Sequence, residues 1–259
     1  MEFIGFDSLQ SRSEAIIADF NSKIPFRYTV IDDFFKPEQA EILHKVYPTI
    51  QEGVWNGSTY LNQKNKYAQN TFLQGSILEK VFAELNSNQF TGWLQNVTGI
   101  QNISADNKLL GAGLHQSVNG AFLNVHLDFN MHPDTNLHRR INVLIYMNKD
   151  WQENYEGYLE LWSIERFRKK RIANISPSFN RCVIFELNDK SFHGHPKPLQ
   201  TPEGINRKSL AVYYYAPEPA VSGKIFTDKT LYVNTDGAYG YLKQFLSGTK
   251  AVYERWFKK

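Results

Sequence analysis

The chain is short of several things, and each shortage removes a class of protein. One cysteine, Cys182, stands among 259 residues, so no intrachain disulfide can form and a disulfide-stapled scaffold is excluded. No apolar run approaches the roughly 18 residues that a membrane-crossing helix needs. The opening residues, Met1 to Asp7, lack a basic region followed by a long apolar stretch, so no signal peptide is expected. A reducing, cytoplasmic setting without membrane contact is the expectation that follows. Charge of one sign is also scarce: the net charge is +3 with a pI near 8.7, too small an excess to imply nucleic acid. The densest basic stretch, Arg166 to Arg171, reads as a solvated hairpin. There is no internal repeat, low-complexity run or evident linker.

What is present points to a folded, β-rich chain. Hydrophobic residues at 42% and charged residues at 21% are globular values, and 14% aromatics favour strands over a helical bundle. The first hundred residues read mostly helical: Ser13–Phe20, a segment starting at Pro37 and running to Val46, Ile77–Leu85 and Phe90–Val97, with Tyr28–Ile31 as a strand. Trp55 to Phe72 is polar and aromatic without a clear period and reads as a loop. From Asn107 the pattern changes to short strands. They are expected over 108–117, 121–128, 140–148, 158–163, 181–187, 208–216 and 230–233, with Asn119-Gly120 as a hairpin turn. Tyr239 to Phe257 reads as a helix. The fold class expected is β-rich α+β, a double-stranded β-helix (jelly-roll, cupin-like) core with flanking helices. One domain is expected over 1–259, helix-rich over 1–105, with the roll over 106–235 and a C-terminal helix over 238–258.

The chemistry concentrates in three places: His126-Leu127-Asp128, Ser191-Phe192-His193 and Arg207-Lys208-Ser209. Two imidazoles and one carboxylate fill one face of a non-haem Fe(II) and leave the opposite face open. On a strand, residues two apart point the same way, so His126 and Asp128 can grip one ion. His193 and His195 compete for the third position; His195 precedes Pro196, which ends ladder pairing there. Arg207 and Ser209 share a strand face, and an inward Arg is costly unless it meets an anion, for which a dicarboxylate co-substrate is suited. Tyr146 shares its face with Asn142 and Leu144.

These segments resemble the Fe(II)/2-oxoglutarate dioxygenases of the prolyl 4-hydroxylase-like group. The likeness is carried by residues 111–115, 120–130, 139–148, 191–196 and 207–215. It departs at Glu156-Gly157-Tyr158-Leu159-Glu160-Leu161, where relatives often show Gly-Gly-Glu-Leu. The resemblance implies His126, Asp128 and His193 as catalytic metal ligands, and Arg207, Ser209, Tyr146 and Asn142 around 2-oxoglutarate. It also implies O₂ as oxidant, ascorbate as a stimulant, and hydroxylation of a peptidyl proline-like side chain, a free amino acid or another small metabolite. His115, Asn130 and His195 are expected to line the substrate pocket. The rivals are halogenation or desaturation by the same kind of site, and a cupin-like metal- or sugar-binding module without redox chemistry. Asp128 fills the position a halide would need, which favours hydroxylation.

Overall fold

A computed structural model of the chain describes residues 2–165, 168–217, 230–233 and 235. In chain order the elements are α1 (Phe6–Ser11), α2 (Ser13–Ser22), β1 (Tyr28–Ile31), α3 (Pro37–Val46), β2 (Asn56–Tyr60) and β3 (Gln63–Gln69). Then come α4 (Ile77–Leu85), α5 (Asn88–Thr98), β4 (Ser104–Ala105), β5 (Gly113–Leu127) and β6 (His138–Tyr146). The remainder is β7 (Leu159–Glu165), β8 (Arg168–Ile175), β9 (Arg181–Glu186), β10 (Phe192–His195), β11 (Arg207–Ala216) and β12 (Leu231–Tyr232). The expected helix over 238–258 lies outside the described residues, as do Arg166 and Phe167 of the basic run.

Local chemistry accounts for the helix ends. Pro37 opens α3 where its missing N–H costs nothing. The Ser76 side chain accepts from the Glu79 N–H at the start of α4, and Ser87 does the same for Phe90 at the start of α5. The apolar faces of the helices join β1, β6, β9 and β11 in one core that includes Phe20, Phe34, Phe90, Leu94, Val143, Ile184 and Tyr214. Burying each such side chain contributes about 1.5–3 kcal/mol.

The strands run in the order β1-β9-β6-β11-β5-β10-β7-β8, all antiparallel, and curl into the roll. Strand β5 makes the curl. Its first part pairs with β11, from Gly113↔Ala211 to Ser117↔Arg207, and its second part pairs with β10 through His126↔His193. The expected hairpin at Asn119-Gly120 is therefore a bulge within one strand. Gly120 takes φ +75°, and Val118 to Ala121 swell out opposite Asn65 of β3. Turn-forming residues here bend a strand from one partner to the next instead of reversing it.

The expected loop over 55–72 is likewise corrected. It holds the β2–β3 hairpin, and β3 pairs with β5 along its length. Its side chains are polar because the hairpin covers a polar cavity, so no hydrophobic period exists to reveal it.

Candidate active site

The mouth of the roll is a cavity of about 190 Å³ reached by residues from β3, β5, β6, β7, β10 and β11. At its base the ligand-type atoms of His126, Asp128 and His193 all lie within 4.8 Å of one another, the single grouping of this kind among the described residues. His126 Nε2 is 3.4 Å from Asp128 Oδ1, and His193 Nε2 is 3.7 Å from Asp128 Oδ2. The other ring nitrogen of each histidine faces a backbone carbonyl: His126 Nδ1 meets Asn124 O at 2.9 Å, and His193 Nδ1 meets Ser191 O at 2.9 Å. A carbonyl only accepts, so each Nδ1 carries the proton and each Nε2 keeps its lone pair toward the cavity. Burial, reinforced by the neighbouring His126, pulls His193 down to about 4, so its ring is neutral at neutral pH. Burial opposes ionisation of Asp128, but the polar groups beside it, His126, His193 and the Arg139 guanidinium, outweigh it and hold the carboxyl below the ordinary range. Asp128 Oδ2 is buried with no hydrogen-bond partner. Two lone-pair nitrogens and an ionised, under-satisfied carboxylate are a donor set suited to ferrous iron.

Register separates the two candidate histidines. His193 sits opposite His126, whereas an irregularity carries His195 on to Leu123, outside the group of three. His195 still lines the cavity, and burial together with Arg207 and Lys66 holds it neutral. Its Nδ1 is buried without a partner. His115 also lines the cavity, while Asn130 does not; its carbonyl instead accepts from the Arg139 N–H.

Arg207 enters from β11. It is 7% exposed, and no carboxylate among the described residues pairs with it. Nε donates to Gly157 O at 2.6 Å and Nη2 to the Tyr146 hydroxyl at 3.1 Å. Gly157 has φ +73°, and a Cβ there would meet Leu199 at 2.3 Å and Arg207 at 3.2 Å. The glycine retained in the divergent Glu156-Gly157-Tyr158 segment thus lets the guanidinium pass and receives it. Tyr146 is fully buried behind Arg207 and outside the cavity lining, whereas Asn142 and Ser209 line it. Asn142 Oδ1 is another buried atom without a partner. A buried cation fixed by neutral acceptors wants an anion, and a carboxylate fits its remaining donors.

A profile of the 2OG-Fe(II) oxygenase superfamily matches residues 112–215, the stretch that supplies all of these groups. Over that stretch the chain is similar to that superfamily. The double-stranded β-helix is a fold shared with solved prolyl hydroxylases. Mouse prolyl 3-hydroxylase OGFOD1 (Mus musculus) is 26% identical over 208 residues, covering 79% of this chain and 35% of that protein. The chain therefore spans about a third of the length of the curated relative it matches. A Pseudomonas putida prolyl-4-hydroxylase superposes with TM-score 0.56 at 16% identity, covering 78% of this chain and 98% of the other. A Trichoplax adhaerens prolyl hydroxylase, solved with a hypoxia inducible factor peptide fragment, gives 0.56 at 17%, covering 80% and 92%.

Several residues of the cavity were not singled out from the sequence. Arg139 is buried with its guanidinium 3.8 Å from the Phe129 ring centre and 3.9 Å from that of Tyr213. It donates to the Tyr215 hydroxyl and reaches 3.9 Å from Asp128 Oδ2. Lys66 and Gln63 come from the β2–β3 hairpin, and Tyr232 from β12. His132 and His138 stay out of the ligand group; His132 lies beside Asp106 at 3.7 Å. Trp162 packs with Val125, Leu127 and Phe192, and Trp151 donates to Glu156 O, so neither forms a platform in the cavity.

Proposed function

We propose that this chain is a hydroxylase that inserts oxygen into an unactivated C–H of a prolyl or proline-like unit, in a peptide or as a small molecule. One observation carries the reading: three ligand side chains stand within 4.8 Å of one another, in the same cavity as a buried Arg207 that has no protein anion. His126, Asp128 and His193 would hold the metal, with each Nδ1 proton anchored on the backbone. Arg207 would take the distal carboxylate of 2-oxoglutarate, with Tyr146 bracing the guanidinium and Ser209 and Asn142 beside it. When bound, Fe(II) with 2-oxoglutarate and O₂ supplies the oxidising chemistry and releases succinate and CO₂. The protein's own part is to orient: each Nδ1 is fixed on a backbone carbonyl and Asp128 stays ionised.

The same reading treats residues 1–259 as one oxygenase domain in a reducing, cytoplasmic compartment, where iron stays ferrous and Cys182 stays a thiol. Asp128 occupies the position a halide would need, so the product gains one oxygen and is indifferent to chloride. The test is mass spectrometry of products formed from peptide and amino-acid panels, with succinate counted in parallel. A chlorinated product in high chloride, or no succinate at all from the iron-loaded protein, would overturn the assignment.

A further inference from the structure

The cavity carries more positive charge than its known occupants use. Among the described residues lining it, Lys66, Arg139 and Arg207 are cationic and Asp128 is the sole carboxylate. Fe(II) and a 2-oxoglutarate dianion cancel each other, so loading them leaves that excess untouched. Arg139 is spent within the wall, clamped between Phe129 and Tyr213 and turned toward Asp128. Arg207 faces the co-substrate. Lys66 is left over.

Its position is set by pairing. Ser117 of β5 lies opposite Arg207 on one side and opposite Lys66 on the other. The two cations thus approach the cavity from strands flanking β5, with backbones about 10 Å apart at two strand spacings. No salt bridge or side-chain hydrogen bond holds the Lys66 ammonium among the described residues. Its field is nonetheless felt at His115, His193 and His195. Burial pulls it down to about 8, Asp128 only partly opposing this and Arg207 adding to it. A partly desolvated ammonium with no counter-ion is a site waiting for one.

We propose that Lys66 binds a carboxylate of the substrate, so that the unit oxidised is a proline or proline-like ring with a carboxylate close by. This rests on the hydroxylase reading. The carboxylate could come from the α-carboxyl of a free or C-terminal residue, or from an acidic side chain beside the target in a peptide. Both present the same chemistry to Lys66, and the experiment separates them.

Two matched pairs of probes serve: N-acetyl-L-proline against N-acetyl-L-prolinamide, and the capped dipeptides acetyl-Pro-Asp-amide against acetyl-Pro-Asn-amide. Binding is measured by calorimetry on the full chain with Mn(II) and 2-oxoglutarate. The charged member of one pair is expected to bind about tenfold or more tighter than its neutral mate, as a charge-assisted contact should. Whichever pair discriminates names the source. Lys66→Met should erase the preference, Lys66→Arg should keep most of it, and Lys66→Glu should reverse it, while the affinity for 2-oxoglutarate holds within about twofold. Lys66 lies half-buried on an outer hairpin, and circular dichroism checks that each variant folds. Equal binding within both pairs on the native chain would overturn the proposal. So would a Lys66→Met variant that loses 2-oxoglutarate and keeps the preference. Absence of succinate formation by the native chain would instead sink the hydroxylase reading, because the probe pairs are read by binding alone.

Discussion

The helix-backed half of the roll and its mouth are built from the same kind of strand but on opposite terms. Behind β6, β9 and β11, Phe34, Phe90, Trp93 and Tyr214 pack ring against ring, and even the Tyr214 hydroxyl is satisfied, by Leu85 O at 2.7 Å. At the mouth, buried positions are held by His115, His126, His193, His195, Arg207 and Ser209. There Asp128 Oδ2, Asn142 Oδ1 and His195 Nδ1 lack partners. The apolar side closes on itself by ring packing, with Trp93 Nε1 left unpartnered, whereas the polar side gathers its unpartnered atoms around one cavity. Stability is therefore concentrated away from the chemistry, and the mouth is free to hold groups that a self-sufficient core would reject.

The contrast is broken most severely at the ligands. His193→Ala or Asp128→Ala should cut succinate formation to background and abolish tight Fe(II) binding, since two remaining ligands cannot hold the ion on one face. His195→Ala should be milder. Iron content and succinate measured on the purified variants decide both, and the reverse order of the two histidines would reassign the ligand. The matching injury on the apolar side is Phe90→Ala, expected to cost about 3–5 kcal/mol in urea unfolding while the folded fraction keeps its iron affinity.

Arg207→Ala sharpens the comparison, because it should spare the metal and weaken 2-oxoglutarate by about 2–3 kcal/mol in a calorimetric titration. Arg207→Lys should recover only part, a point charge replacing a planar fork. Tyr146→Phe should cost about 1 kcal/mol in the same titration, for one lost hydrogen bond behind the guanidinium.

The smallest effect is expected at the rim of the apolar half, where Arg181 grips Asp32 at 2.7 and 3.0 Å but the aspartate is 59% exposed. The Arg181 hydrogen bond, opposed by burial, lowers the Asp32 carboxyl below its ordinary 3.8. Its contribution is therefore full above the unfolded value and disappears as pH falls through the lowered folded one. Asp32→Asn should cost under about 1 kcal/mol at neutral pH and nothing in strong acid, as read by unfolding at the two pH values.

The same division explains what could be read from the residues alone. Strands β6, β9 and β11 and helices α3, α4 and α5 showed their apolar periods because they bury one face against the core. His126, Asp128 and Arg207 stood out because charged residues flanked by apolar strand positions are anomalous. The β2–β3 hairpin stayed hidden because it faces a polar cavity on one side and water on the other, a pattern that polar loops share. Asn119-Gly120 misled because a turn dipeptide says that the chain bends, and only the pairing of β5 with both β11 and β10 says which way. Lys66 had no local mark at all, and Arg139 lay in a segment of family likeness without a role of its own: their place in the cavity arises from strands far apart in sequence.

One consequence lies in the register. His126 and His193 are direct cross-strand partners, on a fifteen-residue strand and a four-residue one. An ion bound between them would be a rivet through a seam with few pairings of its own, β10 being held on its other edge by β7. Melting temperature then becomes a gauge of occupancy that needs no substrate. At a hundredfold excess over its dissociation constant, the metal should add about 2.7 kcal/mol to unfolding, and a chelator should remove it. The seam between β5 and β10 should be where the stripped protein first exchanges its amide protons.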